Sequence, residues 1–218
     1  MRLAPYGKRE ILMGAVVLVV LGVTSALVFP YVIPLFALLF LWLLWFFRDP
    51  ERRIPDDPGI LVAPADGTVV EVADVEVGEP EYLAEPATRI AIFLSIFSCH
   101  INRSPADGAV EYLGYHRGKF LLAWKPEAST ENEGNVLGLA LQGESRARIV
   151  VRQIAGRIAR RIVCVPAKGE KVARGERIGM IKFGSRTELI VPKRLRFRPR
   201  VKLGDKVRAG ETIMGEFA

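Results

Sequence analysis

The chain has 218 residues, a formal net charge of +7 and a mean hydropathy of +0.22, with half of its residues hydrophobic. Its two cysteines, Cys99 and Cys164, lie in apolar runs with no CxxC pair or histidine-rich neighbourhood. That argues against a disulfide framework or a metal site and fits a reducing compartment. The basic balance attracts polyanions, but its sign alone does not separate nucleic acid from a membrane surface.

The distribution of apolar residues makes that choice. Residues 11 to 29 carry no charge, Pro30, Tyr31 and Pro34 interrupt, and residues 35 to 47 are again uncharged. One straight helix through all of it would be about 55 Å long, against about 30 Å of bilayer hydrocarbon. Residues 1–47 are therefore expected to form a membrane-associated helical hairpin with arms of roughly 17 to 19 residues, either spanning or lying shallow. Arg2, Lys8 and Arg9 precede it and Arg48, Arg52 and Arg53 follow. This places both ends on the cytoplasmic face of the cell membrane and excludes nucleic acid as the partner. Tyr31, Trp42 and Trp45 are candidate interfacial anchors. A secretory signal peptide is the competing reading, but the apolar run is long and no small-residue cleavage site precedes Phe46-Phe47-Arg48. Residues 48–59, RDPERRIPDDPG, form a Pro-rich linker that helix cannot cross.

Residues 60–218 are expected to form one β-rich domain. Residues 68–72, 89–94, 109–113, 148–152 and 161–165 read as strands, separated by Gly, Pro and Asp. Near the C-terminus a repeat of form G-[DE]-K-V-x-x-G-[DE]-x-I starts at Gly169 and again at Gly204. It resembles the hammerhead turns of biotinyl and lipoyl carrier domains. The expected fold class is thus mainly β, a flattened sandwich of hammerhead or barrel-sandwich type with two quasi-symmetric halves.

The candidate chemistry is sparse. Gly184-Ser185 precedes an alternating run ending at Pro192, and a serine after a permissive glycine can turn its hydroxyl onto the preceding carbonyl. The bland reading is a Gly-Ser turn. Only two histidines exist. His100 ends an apolar run and is the candidate base, while His116, in a turn-like setting, reads as structural. Asp66, in PADG, is an acid before glycine, for which the bland reading is an ordinary turn aspartate.

PADG, FSCHINRSP and FGSRTEL together resemble the phosphatidylserine decarboxylases in their short form, which includes proteins assigned to archaetidylserine. The likeness covers nearly the whole chain, including WFFRDPERRIP. The resemblance implies a self-processing carboxy-lyase. Its precursor would break between Gly184 and Ser185 into a β chain (1–184) and an α chain (185–218) that stay together as a heterodimer. Ser185 would become a covalent pyruvoyl group, the only cofactor, with no metal. That ketone would form an imine with a serine phospholipid, release carbon dioxide and give the ethanolamine lipid. His100 would be the base and Asp66 would hold its tautomer. Longer family members carry HxxH where this chain has His100 and Arg103. Either His100 serves both reactions or Arg103 takes a substrate carboxylate or phosphate. The alternative is a membrane-tethered β-sandwich carrier or adaptor without catalysis, with Lys182 as its modifiable lysine. A serine hydrolase is a further rival, but the sequence has no GxSxG elbow.

Overall fold

A computed structural model describes residues 2–26, 29–79, 81–142, 147–157, 161–182 and 184–218. Phe183 of the FGS motif lies outside the described residues. Two compact units emerge, residues 1–51 and residues 52–218.

In the first unit, β1 (Arg2–Leu3) is followed by α1 (Lys8–Ala26), α2 (Ile33–Phe46) and β2 (Arg48–Asp49). α1 buries none of its residues and is, among the described residues, the one helix long and apolar enough to cross a membrane. α2 has 14 residues, about 21 Å, which is short of a hydrocarbon core. β1 pairs antiparallel with β2 and the Ala4 amide donates to the Phe47 carbonyl at 2.8 Å, so the open ends of the hairpin are clasped together. This clasp takes Arg48 and Asp49, the first residues of the expected linker.

The second unit is mainly β. Its strands are β3 (Ile60–Val62), β4 (Gly67–Val75), β5 (Ala87–Leu94), β6 (Ile101–Arg103), β7 (Gly108–His116), β8 (Gly134–Leu141) and β9 (Arg148–Ile154). They continue with β10 (Ile162–Cys164), β11 (Lys171–Val172), β12 (Arg177–Ile181), β13 (Ser185–Pro192), β14 (Phe197–Pro199), β15 (Lys206–Val207) and β16 (Ile213–Phe217), and a short α3 (Ala128–Glu131) precedes β8. One eight-stranded sheet has the order β11-β7-β8-β9-β13-β5-β4-β15, and two three-stranded sheets have the orders β10-β12-β6 and β14-β16-β3. Every pairing between these strands is antiparallel.

The strand orders reveal a duplication. β6, β7, β8, β9, β10, β11 and β12 in one half correspond to β3, β4, β5, β13, β14, β15 and β16 in the other. The turns repeat in detail: φ is +90° and +91° at Gly169 and Gly204, and +76° and +78° at Gly175 and Gly210. The Gly175 amide donates to Ser104 and the Gly210 amide to Ala63, each at 2.8 Å. β4 is irregular between Val69 and Glu71, and β7 between Val110 and Tyr112, the same place. A second PADG, at Pro105–Gly108, sits where the first, at Pro64–Gly67, sits in its half.

The core lies between the eight-stranded sheet and the smaller ones, where Ile90, Ile92, Leu94, Leu137, Leu139, Ile149, Val151, Leu189 and Val191 meet Leu61, Ile178 and Met214. All eight residues of β13 are buried. Its alternation directs Ser185 and Thr187 to the same side as Leu189 and Val191, and Arg186 and Glu188 to the side of Ile190, which packs with Leu83, Val136 and Val150.

Candidate active site at the crossover between halves

Residues 101–181 form one half as a continuous stretch inserted into the other. The chain leaves the split half after Leu94 and returns to it at Ser185. Both crossings meet at one place: Ser185 is in register with Leu94, and the Ile181 amide donates to the His100 carbonyl at 3.3 Å. His100 and the Gly184-Ser185 bond are therefore neighbours because of topology, across 84 residues of sequence.

His100 is fully buried. Its Nδ1 is 3.0 Å from the Ser98 carbonyl oxygen, and its Nε2 accepts the Gly184 amide hydrogen at 3.2 Å. A carbonyl only accepts, so Nδ1 carries the proton and Nε2 presents its lone pair to the amide hydrogen of Gly184, the residue before Ser185. Ser185 Oγ is buried and has no hydrogen-bond partner among the described residues. Leaving a buried hydroxyl unpaired costs about 1–3 kcal/mol, which marks it as a group kept available. Gly184 has φ +70°, a conformation that a side chain would strain. A Cβ built on Gly156, two positions beyond the end of the β9–β13 register, would lie 2.2 Å from the Gly184 carbonyl oxygen. Glycine at 156 thus lets backbone lie directly against that carbonyl.

Behind the serine runs a chain of buried amides. Asn102 Nδ2 donates to Thr187 Oγ1 at 3.0 Å, Gln153 Nε2 donates to Asn102 Oδ1 at 2.8 Å, and Asn135 Nδ2 donates to Gln153 Oε1 at 3.2 Å. Asn102 follows His100 by two residues and Thr187 follows Ser185 by two, so this bridge fixes the spacing between the two strands that carry them. At its far end burial raises the Cys164 thiol pKa, against a hydrogen bond with Asn135.

The other expected residues are placed differently. Asp66 receives both Arg52 Nη2 contacts, at 2.9 and 2.8 Å, and the Ala209 amide at 2.8 Å. Burial works against the Arg52 charge, but Asp66 outweighs it and raises the guanidinium pKa. The oxygen facing His100 Nδ1 is that of Ser98, a position for which the sequence offered Asp66. Arg103 is buried and donates to the Gly175 carbonyl at 2.8 Å, with Cδ against Gly210, between the two repeated turns. His116 Nε2 lies 3.8 Å from Glu79. Lys182, the lysine a carrier domain would expose, is 5% exposed. No group of three or more His, Cys, Asp or Glu suited to a metal occurs among the described residues.

Beneath Ser185, on the opposite side of β13, Arg186 Nη2 meets Glu71 at 2.6 Å and Arg186 Nε meets Glu188 at 2.7 Å, while Arg89 meets Glu71 at 2.6 Å and Arg152 meets Glu79 at 2.6 Å. Three carboxylates and three guanidinium groups balance in charge, which makes their burial tolerable. They hold the β13 backbone from the side opposite Ser185, beside the cluster of Ile190, Leu83, Val136 and Val150.

Sequence reasoning missed Gly156, the Asn102–Gln153 bridge and the second PADG. The last was legible as a repeated tetrapeptide; the first two depend on cross-strand register and had no local signal.

The phosphatidylserine decarboxylase family profile matches residues 39–215. Proteins named phosphatidylserine decarboxylase proenzyme resemble the chain over most of its length. That of Symbiobacterium thermophilum is 47% identical over 177 residues, 80% of this chain and 79% of the relative. That of Carboxydothermus hydrogenoformans is 46% identical over 200 residues, 92% and 91%. That of Chlorobaculum tepidum is 41% identical over 223 residues, 99% and 98%. The chain belongs to the phosphatidylserine decarboxylase family.

Proposed function

We propose that the chain is made as a precursor that cuts itself between Gly184 and Ser185 and then decarboxylates a serine phospholipid, phosphatidylserine or its archaetidyl counterpart. The observation that carries this reading is His100 Nε2 accepting the amide of Gly184, the residue whose neighbour Ser185 has a buried hydroxyl with no partner among the described residues.

His100 takes the Ser185 proton as Oγ attacks the Gly184 carbonyl carbon. The carbonyl electron pair moves to oxygen, on the side where Gly156 backbone leaves room, and the proton passes to the Ser185 nitrogen as the amide becomes an ester. Removal of the Ser185 α-proton expels the Gly184 carboxylate from Cβ, so residues 1–184 end in a free carboxylate and residue 185 becomes dehydroalanine. Water then replaces its nitrogen, released as ammonia, to leave a pyruvoyl cap on 185–218. The buried hydroxyl, the glycine before it and the cradle at Gly156 fit that conversion. Once formed, the ketone supplies the electron sink that decarboxylation of an amino acid requires. His100 then holds a proton for return to the substrate carbon, and Asp66, through Arg52 and the 208–210 turn, acts as a positioning residue. The two chains remain one heterodimer, at the cytoplasmic face of the cell membrane, where the lipid resides and α1 anchors the enzyme.

Intact mass spectrometry tests this. Wild-type protein is expected as two chains with a ketone-blocked N-terminus at 185, and Ser185→Ala as one chain with no carbon dioxide release. A single undivided wild-type chain, or turnover by Ser185→Ala, would refute it. Lys182 being buried removes the observation that favoured a carrier.

A further inference from the structure

On the outer side of the eight-stranded sheet, a cavity of about 310 Å³ opens against Gly184. Its walls include Phe93, Ile96, Phe97 and Trp124, with Arg157 as the charged residue. Phe97 is 63% exposed and Trp124 53%, and the Trp124 ring meets Phe93 edge-on at 5.6 Å. Large aromatic surface held open to water beside a reactive bond is costly unless something apolar covers it. Arg157 is exposed and has no carboxylate partner among the described residues. Other arginines near the sheet, such as Arg89, Arg148, Arg152 and Arg194, are each engaged by a glutamate. A lone guanidinium at the edge of an apolar cavity selects an anion that carries a hydrocarbon part.

The geometry points to this cavity as the site that holds a glycerophospholipid by its phosphodiester, on Arg157, and by the first carbons of its acyl chains, between Phe97 and Trp124. Its volume lies at the low end for small-molecule sites, so it takes the glycerol region and the start of a chain, and the rest of the chain stays in the lipid phase. Arg157 and Gly184 line the same cavity, so a ligand whose phosphate is on Arg157 has its head group in the space that Gly184 bounds. The proposed function supplies the identity of the head group; the site itself stands on the cavity, the aromatic pair and the unpaired cation.

Equilibrium calorimetry on the full-length Ser185→Ala chain in non-ionic detergent tests the site independently of maturation and turnover. The two probes are glycerophosphoserine, which has no acyl chain, and dihexanoyl phosphatidylserine. In the parent the acylated probe is expected to bind at least tenfold tighter. Arg157→Gln is expected to weaken both about tenfold, and Arg157→Lys to recover most of the loss. Phe97→Ala combined with Trp124→Ala is expected to erase the advantage of the acylated probe and leave glycerophosphoserine within twofold. An unchanged advantage in the aromatic double variant overturns the proposal, as does Arg157→Gln without effect on either probe, or no binding to the parent. Loss of binding to phosphatidylserine vesicles but not to glycerophosphoserine in Arg157→Gln assigns the cation to membrane attraction and also overturns it. Probe binding as expected, with wild-type protein that never releases carbon dioxide, sinks the decarboxylase reading and leaves this site intact.

Discussion

In the half that holds β7 and β11, Asp107 accepts the Arg174 amide at 3.0 Å; in the half that holds β4 and β15, Asp66 accepts the Ala209 amide at 2.8 Å, the same contact at the matching position. Capping a repeated turn is therefore what either aspartate does for the fold. Only Asp66 also holds Arg52 with both oxygens, while Arg174 sends its guanidinium to the carbonyls of Pro55 and Asp57. The halves diverge again on the outer side. Glu71 joins Arg89 and Arg186, whereas the equivalent Tyr112 stacks on Tyr82 at 5.5 Å. Duplication set the architecture, and of these departures the one at Glu71 reaches the strand that begins with Ser185, through Arg186.

The sharpest way to probe that asymmetry is at Gly156. Gly156→Ala places a methyl 2.2 Å from the Gly184 oxygen, and self-cleavage is expected to slow roughly hundredfold or more, followed by intact mass against time. A Gly156→Ala chain that matures at the wild-type rate removes the cradle from the mechanism. Next in size is the pair of aspartates. Asp66→Asn keeps the turn acceptor but strands the Arg52 charge, for which Glu211 at 3.4 Å is a weaker partner, and is expected to cost about 2 kcal/mol. Asp107→Asn is expected to cost under about 1 kcal/mol. Denaturant unfolding in detergent measures both, and equal losses would erase the distinction between the halves.

The smallest effect is a pH dependence. Burial pushes the Glu71 carboxyl up, but its bonds to Arg186 and Arg89 overcome that and hold it below its ordinary value of 4.5. A carboxyl depressed in the folded state contributes fully above its unfolded pKa and loses the contribution as pH falls through the lower folded value. Glu71→Gln is expected to be less stable than wild type at pH 7 and to converge with it as the pH falls below the depressed folded value of Glu71. Tyr112 at the equivalent position titrates far away, pushed up to about 12 by its bond to Glu81, so no such acid-range term arises from that tyrosine.

Much of the architecture was legible. Residues 68–72, 89–94, 109–113 and 148–152 fall within β4, β5, β7 and β9, and β10 occupies Ile162–Cys164 of the expected 161–165. The G-[DE]-K-V repeat fixed the two hammerhead turns because glycine at positive φ and a core valine are local requirements. At the site, Gly184, Ser185 and His100 were legible as motif residues, and the structure brings them together. Their meeting was not legible, since it depends on one half being inserted into the other. Arg186 and Glu188 would be read as a solvated face from alternation, yet they are buried, because partners 71 and 89 lie on strands whose order no local pattern encodes. α2 came out shorter than the expected length of roughly 17 to 19 residues at its start, where a 3-10 turn takes Pro30–Val32, whereas its end at Phe46 falls where the apolar run ends.

The 34 residues from Ser185 onward contribute strands to the large sheet and to the smaller β14-β16-β3 sheet, with β13 wedged between β5 and β9. A cut at that crossing is thus unlike nicking a surface loop. Under the proposed cleavage the severed piece would stay woven through its parent and could not drift off without unravelling the sandwich, so the new chain end would inherit the rigidity of an interior position from its first moment.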